Sequence, residues 1–157
     1  MPTRATKGSV GYDVKCLELY GVHTDGTKYR IYDEDYIDYM IEKKIGFHHL
    51  EVNTGVHVQP EDGYYVELVP NSRLGKLNVI YGNSIGVIDP DYTGAIRVLL
   101  NTTKPFWDDD VIKKFLPGNV VGQLIVRQKF DAEWELTDKL DETVRGDGGF
   151  GSTEKHV

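Results

Sequence analysis

Apolar residues in this chain fall into short runs with a two-residue period, separated by clusters of Gly, Pro, Asn and Asp. A two-residue period sends successive side chains to opposite faces of an extended backbone, so each run predicts a half-buried strand. Leu50-Glu51-Val52, Gly55-Val56-His57-Val58 and Tyr64-Tyr65-Val66-Glu67-Leu68-Val69 show it most clearly, the last two divided by the turn Gln59-Pro60-Glu61-Asp62-Gly63. The series continues at Val79-Ile80-Tyr81, at Ala95 to Leu100 and at Val120-Val121-Gly122-Gln123-Leu124-Ile125-Val126, and the strand signal fades after Trp134. Before it, Ala5 to Cys16 is polar and punctuated by Gly, becoming strand-like toward its end. Short strands at regular spacing predict a barrel or sandwich.

One stretch breaks the period. Tyr36, Ile37, Met40 and Ile41 fall at helical spacing, with Asp33, Glu34 and Asp35 in front and Lys43 and Lys44 behind. Those charges complement the helix dipole and Gly46 suits a C-cap, which predicts a helix of about three turns from Asp33 to Lys44.

At the centre, Gly86-Val87-Ile88-Asp89-Pro90-Asp91-Tyr92-Thr93-Gly94 lies between two apolar runs and reads as a β-hairpin with a charged tip. Ordinary turn chemistry accounts for it, because Pro presets φ and Asp caps its own backbone. A second reading starts from Val87 and Ile88, which would hold the hairpin against a core and put Asp89 at its rim. There a carboxylate can be partly desolvated and serve as a base.

Length and charge narrow the classes. A chain of 157 residues suits one domain that buries about two-thirds of its unfolded surface. The excess of 25 acidic over 18 basic residues, a net charge of −7, argues against a general nucleic-acid or anionic-membrane surface, so an anionic ligand needs locally placed cations. The single cysteine, Cys16, excludes an internal disulfide, and no apolar run approaches the roughly 18 residues of a spanning helix. The expected location is cytoplasmic or otherwise intracellular. Asp108-Asp109-Asp110 reads as a solvated helix start or loop rather than a metal site, because adjacent side chains do not face one another. The tail Arg145-Gly146-Asp147-Gly148-Gly149-Phe150-Gly151-Ser152-Thr153 has nothing to fill a core and reads as a flexible end. Its residue types also suit a triphosphate: glycines admit backbone N–H groups, Arg145 brings a charged fork, and Ser152 and Thr153 bring hydroxyls.

Five segments, in order, carry a resemblance: Gly11-Tyr12-Asp13-Val14; Pro70-Asn71-Ser72-Arg73-Leu74-Gly75; Asn83 to Gly94; Gly118-Asn119-Val120-Val121-Gly122-Gln123-Leu124; and Arg145 to Thr153. With them the chain resembles the homotrimeric dUTPase family from Gly11 to Thr153. The resemblance implies an all-β, jelly-roll-like barrel with one inserted short helix, in a three-fold trimer whose active sites are shared between subunits. It implies a single β domain over residues 1–144, with a helical insertion at about 17–47, and a flexible Gly-rich arm over 145–157. It also implies hydrolysis of dUTP to dUMP and pyrophosphate by water attack on the α-phosphorus. In this sequence Asp89 matches the base, Gln123 a water or phosphate contact, and Tyr92 the platform under the deoxyribose. Asn83 matches the uracil-reading position and Ser72 a phosphate contact, while Arg145, Gly151, Ser152 and Thr153 match the arm around the terminal phosphate. Phe150 matches the lid on uracil. The implied cofactor is Mg2+ carried mostly by triphosphate and water, without a direct protein ligand and with Asp13 at most an outer-sphere contact.

Two departures stand out. The second motif has Asn71 where the family usually places Arg, and Arg73 two positions later is expected to substitute for the missing guanidinium and bind substrate. The stretch from about Leu17 to Phe47 exceeds the usual spacing and offers a site for a protein partner, so a regulatory binding protein on the same scaffold is an alternative reading. A dCTP deaminase-like reading fits less well, because Leu99 stands where that chemistry needs a glutamate.

Overall fold

The computed structural model describes residues 1–104 and 107–148. Its alternating runs form β1 (Tyr12–Lys15), β2 (Glu18–Val22), β3 (Lys28–Ile31), β4 (His49–Asn53), β5 (Tyr64–Val69), β6 (Val79–Tyr81), β7 (Gly86–Ile88), β8 (Arg97–Thr102) and β9 (Val120–Gln128). One antiparallel sheet has the order β1-β9-β5-β7 and the other β3-β2-β4-β8-β6. Both contribute to one core: Val14, Val66, Leu68, Val121 and Leu124 from the first, Leu19, Leu50, Val52, Val98 and Leu100 from the second. In β8 the alternation is plain, with Val98 and Leu100 buried and Arg97 and Leu99 exposed. Among the described residues no helix is long and apolar enough to cross a membrane.

The predicted helix is α1 (Glu34–Glu42), which buries Ile37 and Met40 against the core. Its N-cap Asp33 accepts from the Tyr36 amide at 2.9 Å, satisfying one of the donors the first turn leaves open. The C-terminal stop differs from expectation. Lys44, at φ 55, takes the left-handed position, and the Ile45 amide donates back to the Met40 carbonyl at 2.9 Å, so the chain has turned before Gly46. Two further helices are short: α2 (Ser72–Lys76) and α3 (Asp109–Lys113), the latter capped by Asp108 at the head of the acidic run.

Four expectations need correction. The stretch 17–47 is more than a helical insertion, because β2 and β3 form a hairpin and β2 pairs along its full length with β4. Gly55 to Val58 is not a strand: Gly55 sits at φ 63, and the segment instead exchanges hydrogen bonds with Ile96, from the Thr54 amide and to the Val56 carbonyl. The central segment is not a hairpin. β7 pairs with β5 and β8 pairs with β4 and β6, so residues 89–96 cross from one sheet to the other, anchored by buried Ile88 and Ile96. Finally, sheet structure ends at Gln128, followed by a bond from the Lys129 amide to the Gly63 carbonyl. The extended tail thus begins well before 145, and Phe130, Trp134, Leu136 and Leu140 are exposed along it.

Candidate active site

The register of the four-stranded sheet brings the first, second and fourth motifs to one end of it. Asp13, Gln123 and Val69 form one cross-strand row, and Tyr12, Leu124, Leu68 and Gly86 form the next. In the first row Gln123 Nε2 donates to Asp13 Oδ1 at 2.8 Å. Gly11 lies against this pair; a Cβ there would stand 3.0 Å from both Gln123 Cβ and Oε1. Gly122 makes room for a buried Tyr81, whose hydroxyl donates to the Val121 carbonyl at 2.8 Å. Burial holds the Tyr81 phenol well above its ordinary pKa, so it remains a neutral donor.

Beyond Val69, Asn71 caps α2 by accepting from the Arg73 amide at 3.1 Å, which gives the residue at the family's Arg position a local structural use. Ser72 opens α2 and lines a cavity of about 500 Å3 with Asn71, Gly75, Tyr81 and Ser84. Arg73 does not line that cavity. Its guanidinium donates to the carbonyls of Val120 and Lys114, tying α2 to the α3–β9 connection. In this arrangement one nitrogen of the Arg73 guanidinium, the expected substitute for the missing one, is engaged by backbone carbonyls.

Asn83 lies in the exposed turn before β7, where its carbonyl accepts from the Ile85 amide at 2.7 Å and the next residue, Ser84, has φ 63. Asp89 and Tyr92 lie after β7, a strand whose three residues span about 10 Å. Asp89 and Tyr92 share a cavity of about 190 Å3 with Val87, Ile88, Ile96 and Arg97. The loop is held from within: the Tyr92 amide donates to the Asp89 carbonyl at 3.0 Å and the Tyr92 hydroxyl donates to the Ala95 carbonyl at 2.9 Å. Asp89 is exposed in the single chain, not partly desolvated at the rim of a core. Gly94 leaves no space for a side chain, since a Cβ would stand 2.5 Å from the Tyr92 hydroxyl. From outside, His57 Nδ1 donates to the Thr93 carbonyl at 2.8 Å.

Arg97 is the residue that motif reading passed over. It opens β8 on the outer sheet face, and its side chain bonds Glu51 Oε1 at 2.8 Å. Glu51 is only 7% exposed and is paired on its other oxygen with Lys28. Burial pushes the Glu51 carboxyl up, but the bonds from Lys28 and Arg97 outweigh it and hold the group below its ordinary range. The only local signal was its outward position in Ile96-Arg97-Val98-Leu99. Among the described residues Arg145 bonds within the tail, with Nε donating to the Gly148 carbonyl at 2.9 Å. Phe150, Gly151, Ser152 and Thr153 lie outside the described residues.

The family model described as dUTPase matches residues 36–154. The chain belongs to the dUTPase family. Among curated dUTPase relatives, the deoxyuridine 5'-triphosphate nucleotidohydrolase of Paramecium bursaria Chlorella virus 1 is 32% identical over 97% of this chain and 88% of its own length. That of Gamma-proteobacterium EBAC31A08 is 32% identical over 98% and 94%. Among solved dUTPase structures, a mutant of the Staphylococcus bacteriophage 80alpha enzyme with dUpNHpp aligns with TM-score 0.69 over 98% of this chain and 90% of its own, at 17% identity. The Streptococcus mutans dUTPase aligns with TM-score 0.59 over 85% and 89%, at 21% identity. At those identities the structural likeness speaks for the fold.

Proposed function

We propose that this chain hydrolyses dUTP to dUMP and pyrophosphate, acting inside the cell as a homotrimer with shared active sites. The observation that carries the reading is the single cavity in which a member of the dUTPase family holds Asp89 and Tyr92 together. Asp89 takes the proton from a water that attacks the α-phosphorus, and the Tyr92 ring, fixed by its bond to Ala95, supports the deoxyribose and leaves no space for a 2'-hydroxyl. Asn83 reads the uracil edge, where a wrong base would leave polar groups unpaired. Ser72 and Gln123 contact phosphate and water, and the arm brings Arg145, Ser152 and Thr153 to the terminal phosphate while Phe150 covers the base and Gly151 lets the backbone approach. The distribution of these residues, with Ser72 in one cavity and Asp89 in another, supports a site completed by neighbouring subunits.

Among the described residues no three His, Cys, Asp or Glu side chains come together as a metal-ligand set. The donors present fit a cation carried by the nucleotide, with Asp13 reaching it through water, and Gln123 already orienting the Asp13 carboxylate. When bound, Mg2+ would supply charge compensation at the phosphate oxygens. The test is pyrophosphate release from dUTP, UTP, dTTP and dCTP, with and without Mg2+. Selective turnover of dUTP is expected, and no turnover of any of the four would refute the reading.

A protein partner at residues 17–47 is a second reading, favoured by an aromatic ladder in which exposed Tyr32 and Tyr39 flank the partly buried Tyr36, with ring centroids 6.0 and 5.9 Å apart. Binding of such a partner should then fail in a Tyr32→Ala, Tyr39→Ala double variant that still turns over dUTP.

A further inference from the structure

The proposed reaction sets a negatively charged base against a polyanion, and among the described residues the Asp89 cavity is lined by one cationic side chain, Arg97. We propose that Arg97 binds the phosphate group nearest the sugar of the nucleotide, and that Glu51 holds its guanidinium ready to do so; this rests on the function proposed above. A guanidinium has five N–H donors, and among the described residues the ones Arg97 uses go to Glu51. Glu51 is fixed in the middle of β4 and buried, so the orientation of Arg97 is set before any ligand arrives.

The local charges agree. Glu51 carries one negative charge against two cations, Lys28 and Arg97, which leaves a surplus positive charge on this sheet face. The neighbouring Glu18 is occupied by Arg30 at 3.0 Å, with Asn53 and Tyr20 donating to its other oxygen. Asp89 is the remaining acid in the cavity, and Arg97 forms no ion pair with it among the described residues, because Glu51 takes that place. Glu51 therefore does two things at once. It fixes the cation and keeps it from pairing directly with Asp89. Arg97 also projects from a half-exposed outer position and Glu51 keeps Lys28 when it is lost, so its replacement spares the fold.

The full chain, first shown to turn over dUTP, is compared with Arg97→Gln and Arg97→Lys by calorimetric titration with dUpNHpp and with deoxyuridine. The first ligand carries phosphates and the second has none. Loss of a charged hydrogen bond to phosphate predicts that Arg97→Gln weakens dUpNHpp about tenfold or more. Deoxyuridine affinity and oligomeric state should stay at parent values. Arg97→Lys should recover part of the loss, and Glu51→Gln, which keeps the shape but frees the guanidinium, should weaken dUpNHpp by a smaller factor. Equal weakening of both ligands, no weakening of either, or a loss that accompanies unfolding or disassembly would overturn the inference. A parent chain without dUTP turnover overturns the proposed function, and this inference with it; an active parent with unchanged Arg97→Gln overturns only the inference.

Discussion

Replacing Gly122 by alanine tests how the fourth motif is held in place. A Cβ at that position would stand 1.8 Å from the Tyr81 hydroxyl oxygen, 2.9 Å from the Val69 carbonyl and 3.1 Å from the Tyr81 ring. Both partners are fixed, since Tyr81 is buried and bonded to Val121, and Val69 pairs with Gln123 across the strands. Alanine therefore either drives the ring out of its site or pushes β9 from β5. Overpacking of this kind costs about 1–3 kcal/mol, and the lost tyrosine hydrogen bond adds about 1 kcal/mol. The expected destabilisation is about 2–4 kcal/mol, read as a lower urea midpoint at fixed chain concentration with an unchanged slope. Tyr81→Phe alone should cost about 1 kcal/mol. It also removes the closest obstacle, so the double variant should be more stable than the sum of the singles predicts, by about 1–2 kcal/mol. If Gly122→Ala unfolds at the parent midpoint, or if the two changes simply add, the tyrosine is not what excludes a side chain at 122.

Asp89→Asn keeps the shape of the loop but removes the base, so kcat should collapse while affinity for dUpNHpp stays within about severalfold; retained turnover would refute the role given to Asp89. Asp33→Ala removes the N-cap of α1 and should cost about 1 kcal/mol, a fall in melting temperature of about 2–4 °C in a chain of this size. Glu51 ionises more easily in the folded chain than at its ordinary pKa of 4.5, so its contribution to stability is complete above that pH and is lost as pH falls through the lower folded value. Urea midpoints taken from about pH 6 to about pH 3 should thus fall less steeply in Glu51→Gln than in the parent, and parallel curves would contradict the pairing.

What the sequence revealed follows from what local periodicity encodes. β5 appears over the six residues that alternate in Tyr64–Val69, and α1 over the residues whose spacing and end charges announce it. Both signals lie within one element. β2 and β3 give only a weak signal because their apolar positions are interleaved with Tyr, Gly and charged residues, and Gly21 looks like a break. The glycine is there because Phe47 fills the space a Cβ would occupy, with ring atoms within 2.5 Å of it, and that contact comes from a distant segment. The central segment departs from its local pattern for a related reason. Alternation tells which residues face inward but not which sheet a strand joins, and β7 and β8 join different ones. The motifs named Asp89, Tyr92 and Gln123 without geometry. The surroundings of Arg73 and Arg97 were not legible either, because side-chain direction depends on distant neighbours: Arg73 meets carbonyls of Lys114 and Val120, Arg97 a buried glutamate on β4.

The exposure of Asp89 bears on how the proposed reaction is completed. In the single chain the Asp89 side chain is open to water. On the proposed reading the cover arrives with the nucleotide, a neighbouring subunit and the arm. The tail shows a matching deficit. Phe130, Trp134, Leu136 and Leu140 stand out from the sheets, with Trp134 at 94% and Leu136 at 100% exposure. Burying four such side chains gains about 6–12 kcal/mol in total. That is comparable with the stability of a whole domain and offsets part of the cost of ordering a tail that has no regular structure of its own. A homotrimer in which each tail lies on a neighbour would use this energy twice, since the contact that covers the apolar residues also carries Arg145 and the residues after it toward another subunit's Asp89 cavity.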